Sequence, residues 1–422
     1  MFQTVRGAFD VLPPGAASGD IPSSDAWRWA EGVVHDTMAR FGMDEIRTPI
    51  LEPLALVARG VGATTDIVQK EMFVVERGDD RFVLRPEVTA PVMRAHLQHR
   101  LDQRGGVQKL YYVAPCFRAE RPQKGRYRQF HQFGIELLGS AAPDADLEAI
   151  ANAAAVYDAF GITATRLRLN TLGDAADRPA FRDALREHLA PDADALSETS
   201  RRRLDQNPLR ILDTKSEHER ALLEGAPRLG DFVGDDARRH HDAVREGLTR
   251  LGIAFVEDDT LVRGLDYYTR TVFELESDAL GAQGALAAGG RYDGLAQAVG
   301  AKQAVPAVGY AAGFERLFIA LGPEALPEPP ALDAFLVAMD DAARSWAAAA
   351  ASELRSAGFR VDRDLAGRAW RKQLKEAARR GARHAVVVGP DDLAAGTASV
   401  KHLASGDEQT VPLGDLAGAL AR

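Results

Sequence analysis

At 422 residues, with 46% hydrophobic and 27% charged side chains, the chain is too long for one ordinary core and reads as a soluble globular protein of two or three domains. No stretch approaches the ~18 to 20 continuous apolar residues of a membrane helix, the first 25 residues lack a signal-peptide run, and Cys116 alone permits no disulfide framework; a reducing cytoplasm is expected. The net charge of −9 excludes a uniformly basic nucleic-acid binder, although local balance matters more than the total.

Ser24 or Asp25 can cap a helix running to about Phe41, with Gly42 past its end. An extended segment from Glu45 follows, which Pro49 stops or moves to an edge. Two short strands between Phe73 and Leu84 flank a turn at Gly78-Asp79-Asp80. Residues 110–117 and 129–138 read as two more strands, joined by the basic turn Pro122-Gln123-Lys124-Gly125. In the second, alternation sets Phe130, Gln132, Gly134 and Glu136 on one face and His131, Phe133, Ile135 and Leu137 on the other. A helix covers about 145–160, with Leu147, Ile150, Ala154 and Tyr157 at helical spacing. From about 172 to 250 the sequence is charged, helical and broken by loops, which predicts an inserted helical domain with His240-His241 on an exposed helix face. Strands return at 253–276 and 304–311, a helix covers about 312–321, and Pro323, Pro327, Pro329 and Pro330 make a stiff linker. Beyond it, strand, helix, strand, helix and strand alternate from 333 to 388, which predicts a small α/β domain with a largely parallel sheet. The expected domains are therefore 1–325, carrying the insertion, and 331–422.

Several strings carry chemistry, each with a plainer reading beside it. Leu84-Arg85-Pro86-Glu87-Val88-Thr89 places a carboxylate and a hydroxyl two apart, on one side of an extended chain. That suits an ammonium group, or simply a strand end with capping side chains. Arg118 and Arg126 flank the basic turn; guanidinium forks match phosphate oxygens, although a solvated turn has the same composition. Gln132 and Glu136 share a strand face, where an inward Glu is costly without a partner or ligand. Leu261-Val262-Arg263-Gly264-Leu265-Asp266-Tyr267-Tyr268-Thr269-Arg270 concentrates an Arg, a carboxylate and two tyrosines before a strand. Gly289-Gly290-Arg291-Tyr292-Asp293-Gly294 reads as a turn without the spacing or Lys of a P-loop. In Gly309-Tyr310-Ala311-Ala312-Gly313-Phe314-Glu315-Arg316, Gly309 and Gly313 permit close backbone approach to a planar base, and Arg316 leaves the first helical turn. The ten histidines show no metal-ligand spacing, and Cys116 in a strand is most simply core. Two local basic patches, Arg118 to Arg128 and Arg368 to Arg383, suit an RNA that docks in one orientation. The second has only Glu376 opposing it in sequence.

Taken in order, these strings resemble the class II aminoacyl-tRNA synthetases, and in detail the histidyl-tRNA synthetase family. The helix and strand ending at Pro49 look like motif 1, Phe117-Arg118-Ala119-Glu120 with Arg126 to Gln132 like motif 2, and Gly309 to Arg316 like motif 3. The strings at 261–270 and 289–294 resemble two motifs particular to the histidine enzymes. The resemblance implies an α+β fold: an antiparallel sheet flanked by helices, a helical insertion, and a C-terminal α/β anticodon-binding domain. It implies a homodimer and the substrates ATP, L-histidine and tRNA(His). Glu87, Thr89 and Gln132 would hold the histidine amino group, Glu136 and Tyr268 the imidazole nitrogens, with Tyr267 and Tyr292 as walls. Arg118 and Arg263 would grip the α-phosphate as the catalytic pair, Arg263 standing where other class II enzymes use a metal. Arg126 and Arg316 would take the terminal phosphates, and Mg2+ would arrive with ATP rather than on protein ligands. Arg121 and Gln123 would approach the tRNA acceptor end, and Arg371, Lys372, Lys375 and Arg379 the anticodon-side backbone. Val88 and Asp391 depart from the family's usual residues; neither removes a catalytic group. The alternative is a non-catalytic paralogue regulating the ATP phosphoribosyltransferase of histidine biosynthesis, but such paralogues tend to lose the Arg263 equivalent and the C-terminal domain.

Overall fold

The computed structural model describes residues 2–421 apart from 18, 63, 64, 66, 207, 213, 215, 263, 264 and 266, and without the side chains of 205, 206, 210, 282 and 283. Contacts divide the chain at Pro327 into two compact units.

The first unit opens with α1 (Ser24–Arg40), which buries Trp27, Ala30, Val34 and Met38 at the spacing of one helix face. Then come β1 (Asp44–Glu45), β2 (Leu51–Pro53), α2 (Leu54–Val61), β3 (Phe73–Arg77), β4 (Asp80–Leu84), α3 (Thr89–Gln98), β5 (Gln108–Phe117), β6 (Gln129–Leu138) and α4 (Pro143–Ala159). β7 (Arg166–Thr171) leads into α5 (Arg178–Leu189), α6 (Glu198–Gln206), α7 (Glu217–Leu222) and α8 (Asp235–Arg250). The chain returns through β8 (Phe255–Glu257), β9 (Thr269–Glu276), β10 (Ala285–Arg291), α9 (Leu295–Ala298), β11 (Ala307–Gly313) and α10 (Phe314–Leu321).

Among the described residues, eight strands form one sheet in the order β1-β5-β6-β11-β10-β9-β7-β8. The end pairs β1–β5 and β7–β8 are parallel and the five pairs between them antiparallel. Alternation divides the side chains between two cores. Phe133, Ile135, Leu137, Leu169 and Phe273 meet Trp27, Val34, Ala149, Val156, Val244, Leu248 and Phe314 on one face. Tyr112, Ala114 and Cys116 meet Val92, Met93, Phe181, Leu185 and Leu295 on the other. Residues expected as an insertion thus contribute to both cores of the sheet: Phe181 and Leu185 from α5, Val244 and Leu248 from α8. α8 packs so closely on α4 that a side chain at Gly247 would collide with Leu147.

In the second half of the first unit two strings differ from expectation. His240 is buried, 5% exposed, with Nε2 3.2 Å from Asp146 Oδ2, and His241 Nε2 lies 3.1 Å from Glu257. Flanking charges in Arg238-Arg239 and Asp242 hide the apolar stripe Ala237, Val244, Gly247 and Leu248 that turns His240 inward. Gly289, Gly290 and Arg291 are strand rather than turn, because β10 is a central strand whose neighbours supply its hydrogen bonds from both sides.

The second unit contains β12 (Leu332–Ala338), α11 (Asp341–Ser356), β13 (Val361–Arg363), α12 (Trp370–Arg379), β14 (Ala382–Val388), α13 (Pro390–Ala395), β15 (Thr397–His402), β16 (Glu408–Pro412) and α14 (Leu416–Leu420). Its sheet runs β13-β12-β14-β15-β16. β12 pairs in parallel with β13 and β14, but β14–β15 and β15–β16 are antiparallel, so the sheet is mixed rather than largely parallel. The reason is length: residues 389–396 are too few for a parallel crossover, which needs a dozen or more. α12 buries Gln373 and Ala377 and exposes Arg371, Lys372, Lys375 and Arg379. Acids from outside the helix temper the patch: Arg368 pairs with Asp364, Arg380 with Asp362 and Arg383 with Asp333, while Glu376 meets Arg368 and Arg379.

Candidate active site

The second face of the large sheet carries a cavity of about 810 Å³. Glu87, Thr89, Gln132, Tyr267, Tyr268 and Tyr292 line it together with Arg118, Arg126, Arg316, Gly309 and Gly313. Groups chosen for an amino acid and groups chosen for phosphates therefore share one space.

Each is held by the fold. Arg85 is 3% exposed and its guanidinium is spent on Pro115 O (2.9 Å), Thr48 O (2.7 Å) and Thr48 Oγ1 (3.0 Å), which fastens the segment before Glu87. Glu87 and Thr89 were expected on an extended chain; instead α3 begins at Thr89. The Glu87 carboxylate accepts from the backbone N–H of Thr89 (2.8 Å) and Ala90 (3.0 Å), groups that a helix start leaves unpaired. It both caps the helix and lines the cavity. The thiol of Cys116, pushed up to about 12 by burial, donates to Gln132 Oε1 at 3.3 Å. Tyr267, Tyr268 and Tyr292 form a ring cluster with centroids 4.6, 5.4 and 6.5 Å apart.

Glu136 lies behind the wall rather than on it. It is 1% exposed, and its two oxygens accept from Thr89 Oγ1 (2.6 Å) and the Tyr292 hydroxyl. Burial pushes its carboxyl up to about 8, against those two hydrogen bonds, which lower it. Burial likewise raises Glu87. A side chain at Gly309, its neighbour in register, would fall on Glu136 Oε2, so the glycine seats the carboxylate. An unfolded Glu loses its proton near the ordinary 4.5, whereas folded Glu136 keeps it to about 8. Between those values folding takes up a proton, and stability falls as pH rises. Glu136→Gln removes that titration. The Tm difference, variant minus wild type, is expected to move in the variant's favour from about pH 5 to about pH 9; calorimetry showing a pH-independent difference would reject a neutral buried carboxyl.

The end of the cavity expected to take phosphates is cationic at its centre. Arg118 Nε donates to Pro86 O at 3.0 Å and its guanidinium lies over the Phe130 ring at 5.2 Å. Arg126 pairs with Glu120 at 3.2 Å, and Arg316 Nη1 donates to Ala285 O at 2.8 Å. Burial, then the charges of Arg126 and Arg118, hold Arg316 below its ordinary value. Mutual repulsion among three guanidinium groups is relieved by a polyanion between them. Glu71, Glu120 and Glu274 also line the wall, and among the described residues no group of three or more His, Cys, Asp or Glu is arranged to hold a metal ion.

Arg263 and Asp266 lie outside the described residues, so the expected catalytic pairing of Arg263 with Arg118 has no geometry here. Arg121 and Gln123 are exposed on the β5–β6 turn, which Gln123 and Arg126 close by reciprocal backbone hydrogen bonds of 3.1 and 2.9 Å. Neither lines the cavity. Sequence reasoning missed Tyr112, and also Leu212, Thr214, Arg220 and Glu224 from the helical segment, all of which line the cavity. Alternation along β5 opposite Gly134 was the available signal for Tyr112; nothing local marks the others.

A family model described as histidyl-tRNA synthetase matches residues 15–317, and one described as anticodon binding domain matches 333–422. The chain belongs to the histidyl-tRNA synthetase family. It is 46% identical over 415 residues to the histidine–tRNA ligase of Synechococcus elongatus, covering 98% of this chain and 93% of that one. It is 45% identical over 422 residues to that of Geobacillus kaustophilus, covering 99% and 97%. The apo histidyl-tRNA synthetase of S. aureus has the same fold, with a TM-score of 0.83, 33% identity and full coverage of both chains. The α+β class II reading of the fold is therefore correct.

Proposed function

We propose that this chain is a histidine–tRNA ligase, joining L-histidine to ATP and then to tRNA(His). The observation that carries this reading is the single cavity shared by Glu87, Thr89, Gln132 and three tyrosines with Arg118, Arg126 and Arg316. The histidine carboxylate oxygen attacks the α-phosphorus of ATP, the bond to the β-phosphate oxygen breaks, and diphosphate leaves. A terminal ribose hydroxyl of the tRNA then attacks the acyl carbon, releasing AMP. Arg118 and Arg263 neutralise the α-phosphate, and Arg126 and Arg316 hold the outgoing phosphates. Magnesium travels on the triphosphate and screens its charge. Glu87 and Gln132 hold the ammonium group, while Tyr268 faces the imidazole together with Thr89 and Tyr292, whose hydroxyls Glu136 fixes from behind the wall. A site of this kind rejects analogues that lack those bonds, by up to ~10⁴ to 10⁵-fold.

Arg121 and Gln123 meet the acceptor end and the exposed face of α12 meets RNA phosphate, so tRNA binding should weaken with salt. The anticodon-domain match at 333–422 supports ligation over the regulatory paralogue. Exposed Ile50, Leu51, Val74 and Val75, on or beside the small β2-β4-β3 sheet, supply apolar surface for the second copy of a homodimer. The tRNA, ATP and histidine it would use support a cytoplasmic location. Histidine-dependent exchange of labelled diphosphate into ATP is the expected result, with charging of purified histidine tRNA following. No exchange in the presence of histidine overturns the proposal.

A further inference from the structure

Tyr112 occupies the floor of the cavity. It is 1% exposed, lines the cavity wall, and its hydroxyl has no hydrogen-bond partner among the described residues. Buried hydroxyls are normally paired, and one left alone in a core is replaced by phenylalanine without loss. The fold nevertheless makes room for this one. Tyr112 faces Gly134 in register across β5 and β6. A Cβ at position 134 would fall on the Tyr310 carbonyl oxygen and lie 2.5 Å from Tyr112 Oη and 2.7 Å from Cζ, so the tip of the ring covers bare backbone. Gly134 falls between Gln132 and Glu136 on the cavity-side face of β6, which puts the hydroxyl between the two groups given to opposite ends of the amino acid. Glu136, Glu87, Tyr268 and Tyr292 all lie within electrostatic reach, and burial keeps the phenol protonated.

We propose that the Tyr112 hydroxyl hydrogen-bonds the bound histidine, adding a recognition contact that none of the sequence motifs contains. This rests on the function proposed above. A phenol both donates and accepts, so it can serve either protonation state of the substrate.

The test is Tyr112→Phe in the full chain, using histidine-dependent diphosphate exchange. KM for histidine is expected to rise ~10-fold or more, as when a site built for hydrogen bonding loses one. KM for ATP should change less than ~2-fold, and Tm should stay level or rise because no protein partner is lost. Histidinol, a non-reacting competitor, should weaken by the same factor. A histidine KM within ~2-fold of wild type overturns the inference, as does a parallel rise in both KM values with a lowered Tm, which marks a packing role. If the variant does not fold, 3-fluorotyrosine at position 112 keeps ring and hydroxyl: its fluorine resonance should shift with histidine and not with ATP alone, and no shift at saturating histidine overturns it. Wild type without exchange would sink the ligase reading instead, so the two failures are separable.

Discussion

Asp146→Ala is expected to destabilise the protein by ~3 to 5 kcal/mol, the usual effect of removing one partner from a buried ion pair. Arg291 and Asp146 both have 0% exposed side chains. Arg291 Nε lies 3.3 and 3.2 Å from the two Asp146 oxygens, Nη1 donates to Ser140 O (2.8 Å) and Asp293 Oδ1 (3.2 Å), and Nη2 to Ala142 O (3.2 Å). Burial opposes the Asp146 charge, yet His240 and Arg291 together hold its carboxyl below the ordinary value. Without it the buried Arg291 guanidinium keeps only Asp293 and two carbonyls, and the His240 imidazole loses its carboxylate. Urea denaturation measures the loss. The double variant Asp146→Ala with Arg291→Met should recover part of it, since no orphaned charge remains. A single-variant loss below ~1 kcal/mol would show that the network contributes little. Because Arg291 precedes Tyr292 in the chain, surviving Asp146→Ala protein should also bind histidine less well.

Arg118→Ala is expected to slow adenylate formation by ~10² to 10³-fold, the scale for one fixed positive group aimed at developing negative charge. Its Nε bond to Pro86 O and its place over Phe130 hold the guanidinium, which forms no ion pair with a carboxylate among the described residues. The charge is therefore available to a phosphate. Single-turnover kinetics at saturating histidine and ATP separate the rate from binding. A rate within ~10-fold of wild type would remove Arg118 from the catalytic role.

Much of this site was legible because its residues fall on short, regular elements. Alternation alone placed Gln132 and Glu136 on one face of β6, and the strand-to-helix passage at Gly313 was readable from two glycines before an apolar run. What escaped reading depends on partners distant in sequence. The burial of His240 needs Asp146, 94 residues away, and that of Arg291 needs the same carboxylate from 145 away. Glu136 was read correctly as inward, but its withdrawal behind Thr89 and Tyr292 follows from three elements meeting, which no local pattern encodes. The antiparallel end of the small sheet was missed because β15 and β16 carry short mixed sequences, and only the length of 389–396 excluded a crossover.

Gly134, Gly290 and Gly309 lie bare on adjoining central strands, overlain respectively by Tyr112, Tyr268 and Glu136. The layer beneath those three side chains is main chain, whose shape no side-chain exchange can retune. Reshaping the cavity must therefore work through the tyrosines and Thr89 above, because adding a methyl below displaces one of those covering side chains rather than trimming the space.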